Sequence, residues 1–376
     1  MLRRDRQWTK LLAGVSLGLM LLSTGCTHET GLNGKEKGLA AAAAEELAGV
    51  LDSSETGTSG MPESAGVPKS PETPGTLEDD GAIRTVTDVQ KFTFDKGVMT
   101  EEITSKLKKV AISNENGTVQ LKQGTGTQLE IHTIIEVGKA TQEEAKSLAA
   151  QSEVQVKQER RQNLTISAST RSSKSQSGHE VSIHMIISLP QTFKADLKGK
   201  IGNGDVVISD LPETGKIKWV TDNGSQTISR VGADLTLQSG NGRIQVQDAR
   251  RNVKAEVSNG QIEAVQVGGA LDTKISRGQL VVQEAASTVK AAVETGNIAI
   301  ASSQVGGNWQ VSSEVGDIRL AWPKEASVKV AAAASLGQVY SDFDLKLNKN
   351  RASGSLNKGK YSIKASTLGQ IQLQES

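Results

Sequence analysis

The stretch SGNGRIQVQDARRNVKAEVSNGQIEAVQVGGALDTKISRGQL, residues 239–280, repeats one short pattern three times. In each copy a glycine is followed by one polar residue and then an aliphatic residue: Gly242 with Ile244, Gly260 with Ile262, and Gly278 with Leu280. The copies are 18 residues apart. A period this short is typical of stacked supersecondary units, so it predicts a repeat fold.

The same glycine recurs outside this stretch. Eight glycines follow one another at intervals of 20, 18, 18, 18, 18, 20 and 21 residues: Gly204, Gly224, Gly242, Gly260, Gly278, Gly296, Gly316 and Gly337. We interpret them as the corners of successive repeat units. The predicted repeat section therefore spans residues 201–376.

Aligning the units predicts two short strands in each one. One aliphatic column follows the glycine: Ile244, Ile262, Leu280, Ile298 and Ile318. A second column lies half a unit later: Leu235, Val253, Leu271, Val289 and Trp309. Apolar and polar residues alternate around both columns, as in strands with one buried face. The prediction is an all-β fold, a parallel β-solenoid with rungs of about 18–20 residues. Crossover chirality favours a right-handed coil, and a left-handed hexapeptide helix ranks lower because its six-residue aliphatic period is missing.

Asparagine precedes glycine at four of the corners: Asn203, Asn223, Asn241 and Asn259. Both residue types tolerate positive φ, so we interpret the Asn-Gly pairs as sharp turns between strands.

The amino terminus has the features of an export signal. Four basic residues (Arg3, Arg4, Arg6 and Lys10) precede the apolar segment 11–22, which is too short to span a membrane comfortably. Leu22-Ser23-Thr24-Gly25-Cys26 resembles a bacterial lipobox, although Ser23 stands where leucine is usual. The resemblance implies that residues 1–25 are a lipoprotein signal peptide and that Cys26, the only cysteine, carries diacylglycerol. An ordinary secretory signal with an incidental cysteine is the alternative.

Two regions separate the signal from the repeats. Residues 26–81 are rich in Pro, Ser, Thr and Gly, and segment 27–81 carries 11 acidic and 3 basic residues, a net charge of −8. This composition predicts a disordered, lipid-anchored linker. Residues 82–200 alternate in several strand-like runs, and Asn116-Gly117 anticipates the later corners.

One helix interrupts the strands of the 82–200 region. Thr141 and Glu144 have the spacing of a capping box, and Ala145, Leu148 and Ala149 give an apolar stripe through about Gln151. We expect this helix to cover the open end of the solenoid, which needs covering because its terminal strand edge is unpaired.

The repeat units, as quoted for residues 239–280, resemble the β-strand repeats of a bacterial putative-adhesin family, a domain of unknown function. Leu189-Pro190 also matches the entry to the repeats of that family. The resemblance covers about residues 82–376 and implies a surface-exposed, non-enzymatic β-solenoid. Some relatives are associated with envelope-stress sensing.

The sequence offers few candidate catalytic or metal-binding residues. His132 and His184 fall on polar phases of strands, which favours solvated residues over metal ligands, and a calcium-binding β-roll would need an aspartate in each repeat. Outward arginines occur without a convergent column of carboxylates, which argues against a polysaccharide lyase or hydrolase. Trp309 and Trp322 are predicted to be packing residues. We therefore predict no catalytic, cofactor or metal site, and the net charge of +1 does not indicate nucleic-acid binding.

These observations predict a non-enzymatic, lipid-anchored extracytoplasmic protein at the cell membrane, acting as an adhesin or envelope scaffold. Its expected partners are the membrane through Cys26 and a cell-wall polymer or envelope protein. Two alternatives stay open: a stress-sensing lipoprotein that binds a peptide or membrane protein, and a carbohydrate-active β-helix enzyme.

Overall fold

The structure, a computed structural model, describes residues 91–170 and 178–376. Within these ranges the chain forms 24 strands and one helix. The elements are β1 Lys91–Glu101, β2 Lys109–Asn116, β3 Val119–Gln123, β4 Leu129–Gly138, α1 Gln142–Gln151, β5 Ser152–Glu159, β6 Asn163–Thr170, β7 Glu180–Leu189, β8 Asp196–Asn203, β9 Val206–Leu211, β10 Ile217–Asn223, β11 Gln226–Val231, β12 Leu235–Ala249, β13 Val253–Val267, β14 Leu271–Ala285, β15 Val289–Thr295, β16 Ile298–Ala301, β17 Trp309–Val315, β18 Ile318–Trp322, β19 Val328–Ala334, β20 Val339–Ser341, β21 Lys346–Asn348, β22 Arg351–Leu356, β23 Tyr361–Thr367 and β24 Ile371–Glu375.

The strands form a parallel β-solenoid, as the repeat predicted. Ten rungs with a glycine corner stack in the order β2/β3, β8/β9, β10/β11, β12, β13, β14, β15/β16, β17/β18, β23/β24 and β19/β20. Nine steps of about 4.8 Å give a stack roughly 43 Å long. The first strand of each rung belongs to what we call sheet 1, and the second strand belongs to sheet 2.

The rungs β12, β13 and β14 are single 15-residue strands that continue through the glycine corner, where two short strands were predicted. Their register is the one that the alignment gives, with Leu235 beside Val253 and Ile244 beside Ile262. Continuous pairing through the corner is possible because equal rung lengths keep every backbone group opposite its partner.

Both aliphatic columns are buried and face each other across a narrow core. Trp309 of sheet 1 and Trp322 of sheet 2 meet edge to face, with their ring centroids 6.4 Å apart. Phe343 stacks on Trp322 at 4.5 Å. Small and β-branched residues fill most of the remaining core because the two sheets leave little room for larger side chains.

The stack begins before residue 201. Strands β2 and β3 pair in parallel with β8 and β9, so Gly117 is the corner glycine of the β2/β3 rung. The stack therefore continues across the predicted border at residue 200. Residues 124–195 extend the stack at its first end, where β6 pairs in parallel with β2 and β7 pairs in parallel with β3. Antiparallel pairs then join β1 to β4, β4 to β7, and β5 to β6.

The helix α1 covers the first end of the core. It contacts β1 and β4 of the sheet 2 edge and β5 and β6 of the sheet 1 edge. The capping box is formed, with Thr141 as the N-cap and Glu144 at N3, and Ala145, Leu148 and Ala149 are buried. The predicted helix and its predicted position at an open end are both confirmed.

The order of the last rungs differs from the prediction. We expected the rung at Gly337 to follow the rung at Gly316 directly. Instead β23 and β24 lie between them, so Gly369 stacks on Gly316 and Gly337 stacks on Gly369. Gly369 has the same glycine–polar–aliphatic pattern, with Ile371 two residues on, so a signal for this rung was present in the sequence.

Candidate binding surfaces

In each rung the chain turns from the sheet 1 strand into the sheet 2 strand at what we call the first corner, and this corner requires glycine. Seven of the predicted corner glycines have φ between 133° and 147°: Gly204, Gly224, Gly242, Gly260, Gly278, Gly296 and Gly316. A side chain is rarely tolerated there, and a Cβ atom would also overlap the backbone of the glycine in the rung below. Gly337 is outside this conformation, but its neighbour Gly369 approaches it just as closely.

The corner asparagines form a ladder. The side-chain amide of each donates to the side-chain oxygen of the one before, from Asn203 to Asn116 (2.8 Å), Asn223 to Asn203 (2.9 Å), Asn241 to Asn223 (2.8 Å) and Asn259 to Asn241 (2.9 Å). These asparagines do not have positive φ. Their presence is therefore explained by hydrogen bonding between rungs, and the turn-based interpretation of the sequence was wrong for them.

A second corner lies near the end of the sheet 2 strand in each of five rungs, and residues other than glycine have positive φ there. Asp210, Arg230, Asp248, Gln266 and Glu284 occupy equivalent places with φ from 53° to 58°. Arg230 makes a bidentate pair with Asp210, Nε–Oδ1 at 2.5 Å and Nη2–Oδ2 at 2.8 Å. This pair lowers the pKa of the Asp210 carboxyl and raises the pKa of the Arg230 guanidinium. Sequence reasoning missed this corner because its residue types differ from rung to rung.

The outward face of sheet 1 is rich in charge. Lysines occupy five places in one outward column: Lys198, Lys218, Lys254, Lys290 and Lys364. Lys254 pairs with Glu256 at 2.9 Å, which raises the pKa of Lys254 and lowers that of Glu256. Among the described residues, the other four lysines of this column form no ion pair.

A shallow groove of about 320 Å³ crosses the lysine-bearing face of sheet 1 near the first corner. Its lining includes Asp222, Glu256, Lys274 and the backbone at Gly240. Lys274 reaches Glu294 at 3.5 Å and Lys200 reaches Asp222 at 3.3 Å, so the charges along this groove are largely paired.

The outward face of sheet 2 is different in kind. From β11 to β20 its two central outward columns consist of Thr, Ser, Gln, Val, Ala and Tyr, with one acidic residue, Glu263, and one basic residue, Arg319. A further outward column beside the corner glycines adds Arg243 of β12. The two faces of the stack thus differ, because one is rich in charge and the centre of the other is nearly neutral.

Each of the three histidines in the described ranges contacts a nearby polar group. His132 Nε2 is 2.9 Å from Asp95 Oδ1, His179 Nδ1 is 2.6 Å from the Lys139 carbonyl oxygen, and the Thr118 amide donates to His184 Nδ1 at 3.3 Å. In the described part of the chain, no group of three His, Cys, Asp or Glu side chains is arranged to hold a metal ion.

Ion pairs and hydrogen bonds shift the pKa of nine side chains in the described part of the chain, each toward the charged form. The pKa is lowered for Asp95, Glu144, Glu180, Asp210 and Glu256, and it is raised for Lys91, Arg230, Lys254 and Lys324. A hydrogen bond is the main cause in each case. Asp95 accepts from the Gly97 amide, Glu144 accepts from the Thr141 amide, and each of the other groups bonds to its ion-pair partner. A general acid or base needs the opposite displacement, toward neutral pH.

Trp309 and Trp322, which were predicted to pack, are buried. Trp219 is buried as well, and Gly199 leaves the space that the Trp219 ring fills. Tyr340 is exposed on sheet 2, and Lys360 lies over the Tyr361 ring at 4.8 Å.

The sequence that forms these rungs matches a known domain family. The sequence model of the Toastrack family, DUF4097, matches residues 107–373. The chain belongs to the Toastrack family. The match starts just before β2, which agrees with a stack that begins at Gly117. No curated protein matches this Toastrack chain.

Solved structures with low sequence identity are similar to this Toastrack protein. A putative adhesin from Bacteroides fragilis NCTC 9343 is 15% identical, with a TM-score of 0.34, over 76% of this chain and 97% of its own. A putative cell adhesion protein from Clostridium sporogenes ATCC 15579 is 12% identical, with a TM-score of 0.25, over 76% of this chain and 100% of its own.

The predicted lipidation site, Cys26, and the predicted linker 26–81 lie outside the described residues. Over residues 91–170 and 178–376, no helix has the length and apolar character needed to cross a membrane.

Proposed function

We propose that this Toastrack protein is a non-enzymatic surface module of the cell envelope, anchored by lipid at Cys26 and acting in adhesion or scaffolding. The observation that carries the proposal is that the repeated residues are structural. The glycines form corners, the asparagines hydrogen-bond between rungs, and the aliphatic residues fill the core, while the outward positions form two flat faces.

The pKa directions support a binding role. Neighbours lower the pKa of Asp210 and Glu256 and so hold these carboxylates in the ionised form, which suits polar recognition. The lysine column of sheet 1 lies along the stack axis, so it suits an extended polymer of the wall better than a compact ligand.

Anchoring is tested with Cys26→Ala in the full chain. The expected result is loss of lipid incorporation and release of the protein from the membrane fraction. A variant that matures normally and still partitions with membranes would contradict the anchor.

Binding is tested by co-sedimenting the full chain with purified cell walls. Replacing Lys218, Lys254 and Lys290 together with glutamine should weaken sedimentation several-fold, since three charges of the column are lost. A matched variant with Lys96, Lys106 and Lys146 changed to glutamine should bind as the native protein does. Equal loss in both variants, or no loss in either, would argue against sheet 1 as the binding face, and turnover of wall polysaccharide would refute the non-enzymatic assignment.

A further inference from the structure

The outward face of sheet 2 carries two columns that run along the stack axis. The first column is Thr227, Gln245, Glu263, Val281, Ala299, Arg319, Gln372 and Tyr340. The second column is Ser229, Gln247, Val265, Gln283, Ala301, Ala321 and Gln374. Each of these residues alternates with a buried one, so all of them point away from the core.

These two central columns carry little charge, whereas Arg243, the charged residue of β12 in the outward column beside the corner glycines, lies at their border. Sheet 1, in the same rungs, places Lys218, Lys254, Asp272, Lys290 and Lys364 in its equivalent first column. On sheet 2 the only charges in the two columns named above are Glu263 and Arg319. Depletion of charged residues, and of lysine in particular, is typical of the core of a protein interface.

The first column is self-complementary about its centre, which lies between Val281 and Ala299. Moving outward by equal steps, Glu263 corresponds to Arg319, Gln245 to Gln372, and Thr227 to Tyr340. In the second column, Gln283 corresponds to Ala301, Val265 to Ala321 and Gln247 to Gln374. Acid therefore matches base, apolar matches apolar, and most amides match amides.

We propose that sheet 2 is the interface of a two-fold symmetric homodimer in which two solenoids pack face to face and antiparallel. A two-fold axis parallel to the strands, passing between Val281 and Ala299, reverses the order of the rungs in the second copy. It thereby brings Glu263 of each copy opposite Arg319 of the other. A two-fold interface requires this reciprocity, in which residue i meets j and j meets i.

The face is large enough for such a dimer. Eight rungs span about 34 Å, and about five residues of strand span about 16 Å, so each copy contributes roughly 550 Å² in plan. Two copies together bury about 1,100 Å², just above the ~1,000 Å² expected of a specific interface. Flat sheets with short side chains can approach to about 10 Å, the usual separation of packed sheets.

Within one protomer Glu263 has one long ion pair, and Arg319 has a neutral hydrogen-bond partner. Glu263 lies 3.6 Å from the Arg243 guanidinium, and Arg319 Nε donates to Gln372 Oε1 at 3.0 Å. Both side chains can turn toward a facing copy without breaking a buried contact, because Arg243 and Gln372 lie at the surface. The dimer leaves both charged sheet 1 faces outward, which would give two copies of any binding face that sheet 1 provides.

The test is charge reversal with rescue, measured by sedimentation equilibrium of the full chain in a mild detergent. The native chain should be a dimer at micromolar concentration. Glu263→Arg and Arg319→Glu each place like charges opposite each other twice, so each should weaken dimerisation at least about tenfold. The double variant Glu263→Arg with Arg319→Glu should restore the dimer, since only the antiparallel register pairs these positions.

Lys290→Glu, a charge reversal on sheet 1, is the matched control and should leave the dimer intact. Ala301→Arg changes an exposed position opposite Gln283 and should disrupt the dimer independently, with an unchanged thermal midpoint showing that the chain is folded. A monomeric native chain would overturn the proposal, including one that co-purifies with a different protein on this face. So would single reversals that remain dimeric, or a double variant that remains monomeric.

Discussion

At the scale of single residues, the first corner combines two demands that only glycine meets. Gly260 has φ of 142°, and a Cβ atom added to it would lie 1.8 Å from the carbonyl oxygen of Gly242. The backbone conformation excludes most side chains, and the close approach excludes even a methyl group.

We expect Gly260→Ala to lower the free energy of unfolding by about 3 kcal/mol or more, because strain and overlap add at one atom. Chemical denaturation measures this loss. Gly126→Ala is the control: Gly126 is outside the left-handed region and an added Cβ would meet Glu130 Oε1 at an ordinary 3.5 Å, so its substitution should stay within about 0.5 kcal/mol. Similar losses in both variants would contradict the corner geometry.

The Asp210–Arg230 pair predicts a pH dependence. Arg230 holds the pKa of Asp210 below its ordinary value of 3.8, so the ionised carboxylate favours the folded state. This contribution is complete above the ordinary value and disappears as the pH falls through the lower folded pKa. Because the pair is largely exposed, it should amount to less than about 1 kcal/mol.

Arg230→Gln should therefore lower the thermal midpoint at neutral pH, and the gap to the native protein should close in acid. A gap that is constant across pH would show that packing of the Arg230 chain, rather than its charge, is what was lost.

Residue patterns predicted some of these features and not others. The glycine corners could be predicted because strain restricts the residue type and leaves a periodic mark. The second corner could not, since Asp210, Arg230 and Gln266 share a conformation but no chemistry. The Asn203–Asn223 ladder needed rung stacking to be known first, because the two amides are 20 residues apart in sequence.

At the scale of elements, α1 was predictable and the order of the last rungs was not. The capping box and apolar stripe of α1 are local signals, fully contained in residues 141–151. The insertion of β23 and β24 beneath β19 and β20 depends on a return of the chain after the β21–β22 hairpin, which no local pattern specifies.

The last rung β19/β20 should depend on β23 for its stability. Ile363 is buried between Trp309 and Val330, its partners on the neighbouring strands. Ile363→Ala should cost about 2–4 kcal/mol and should expose the amides of residues 328–334 to hydrogen exchange. Val330→Ala, on the outer rung, should loosen residues 328–334 while β23 stays protected. Retained protection of 328–334 in the Ile363 variant would contradict the inserted order.

At the scale of the whole molecule, the stack behaves as a row of interchangeable rungs. Each rung contacts only its two neighbours, and β12, β13 and β14 share one register over their full length. Stability should then be a sum of rung and interface contributions, and the two outward faces should keep their character when a rung is removed.

Removing one rung tests this account most directly. Deleting residues 253–270 joins Asn252 to Leu271 and brings β12 beside β14 in the register that β13 now provides. We predict a folded chain with one cooperative thermal transition, followed by circular dichroism. Deleting only residues 253–261 should instead abolish the transition, because half a rung breaks the register. Loss of cooperative unfolding in the 18-residue deletion, or a normal transition in the half-rung deletion, would contradict the stacked-rung structure.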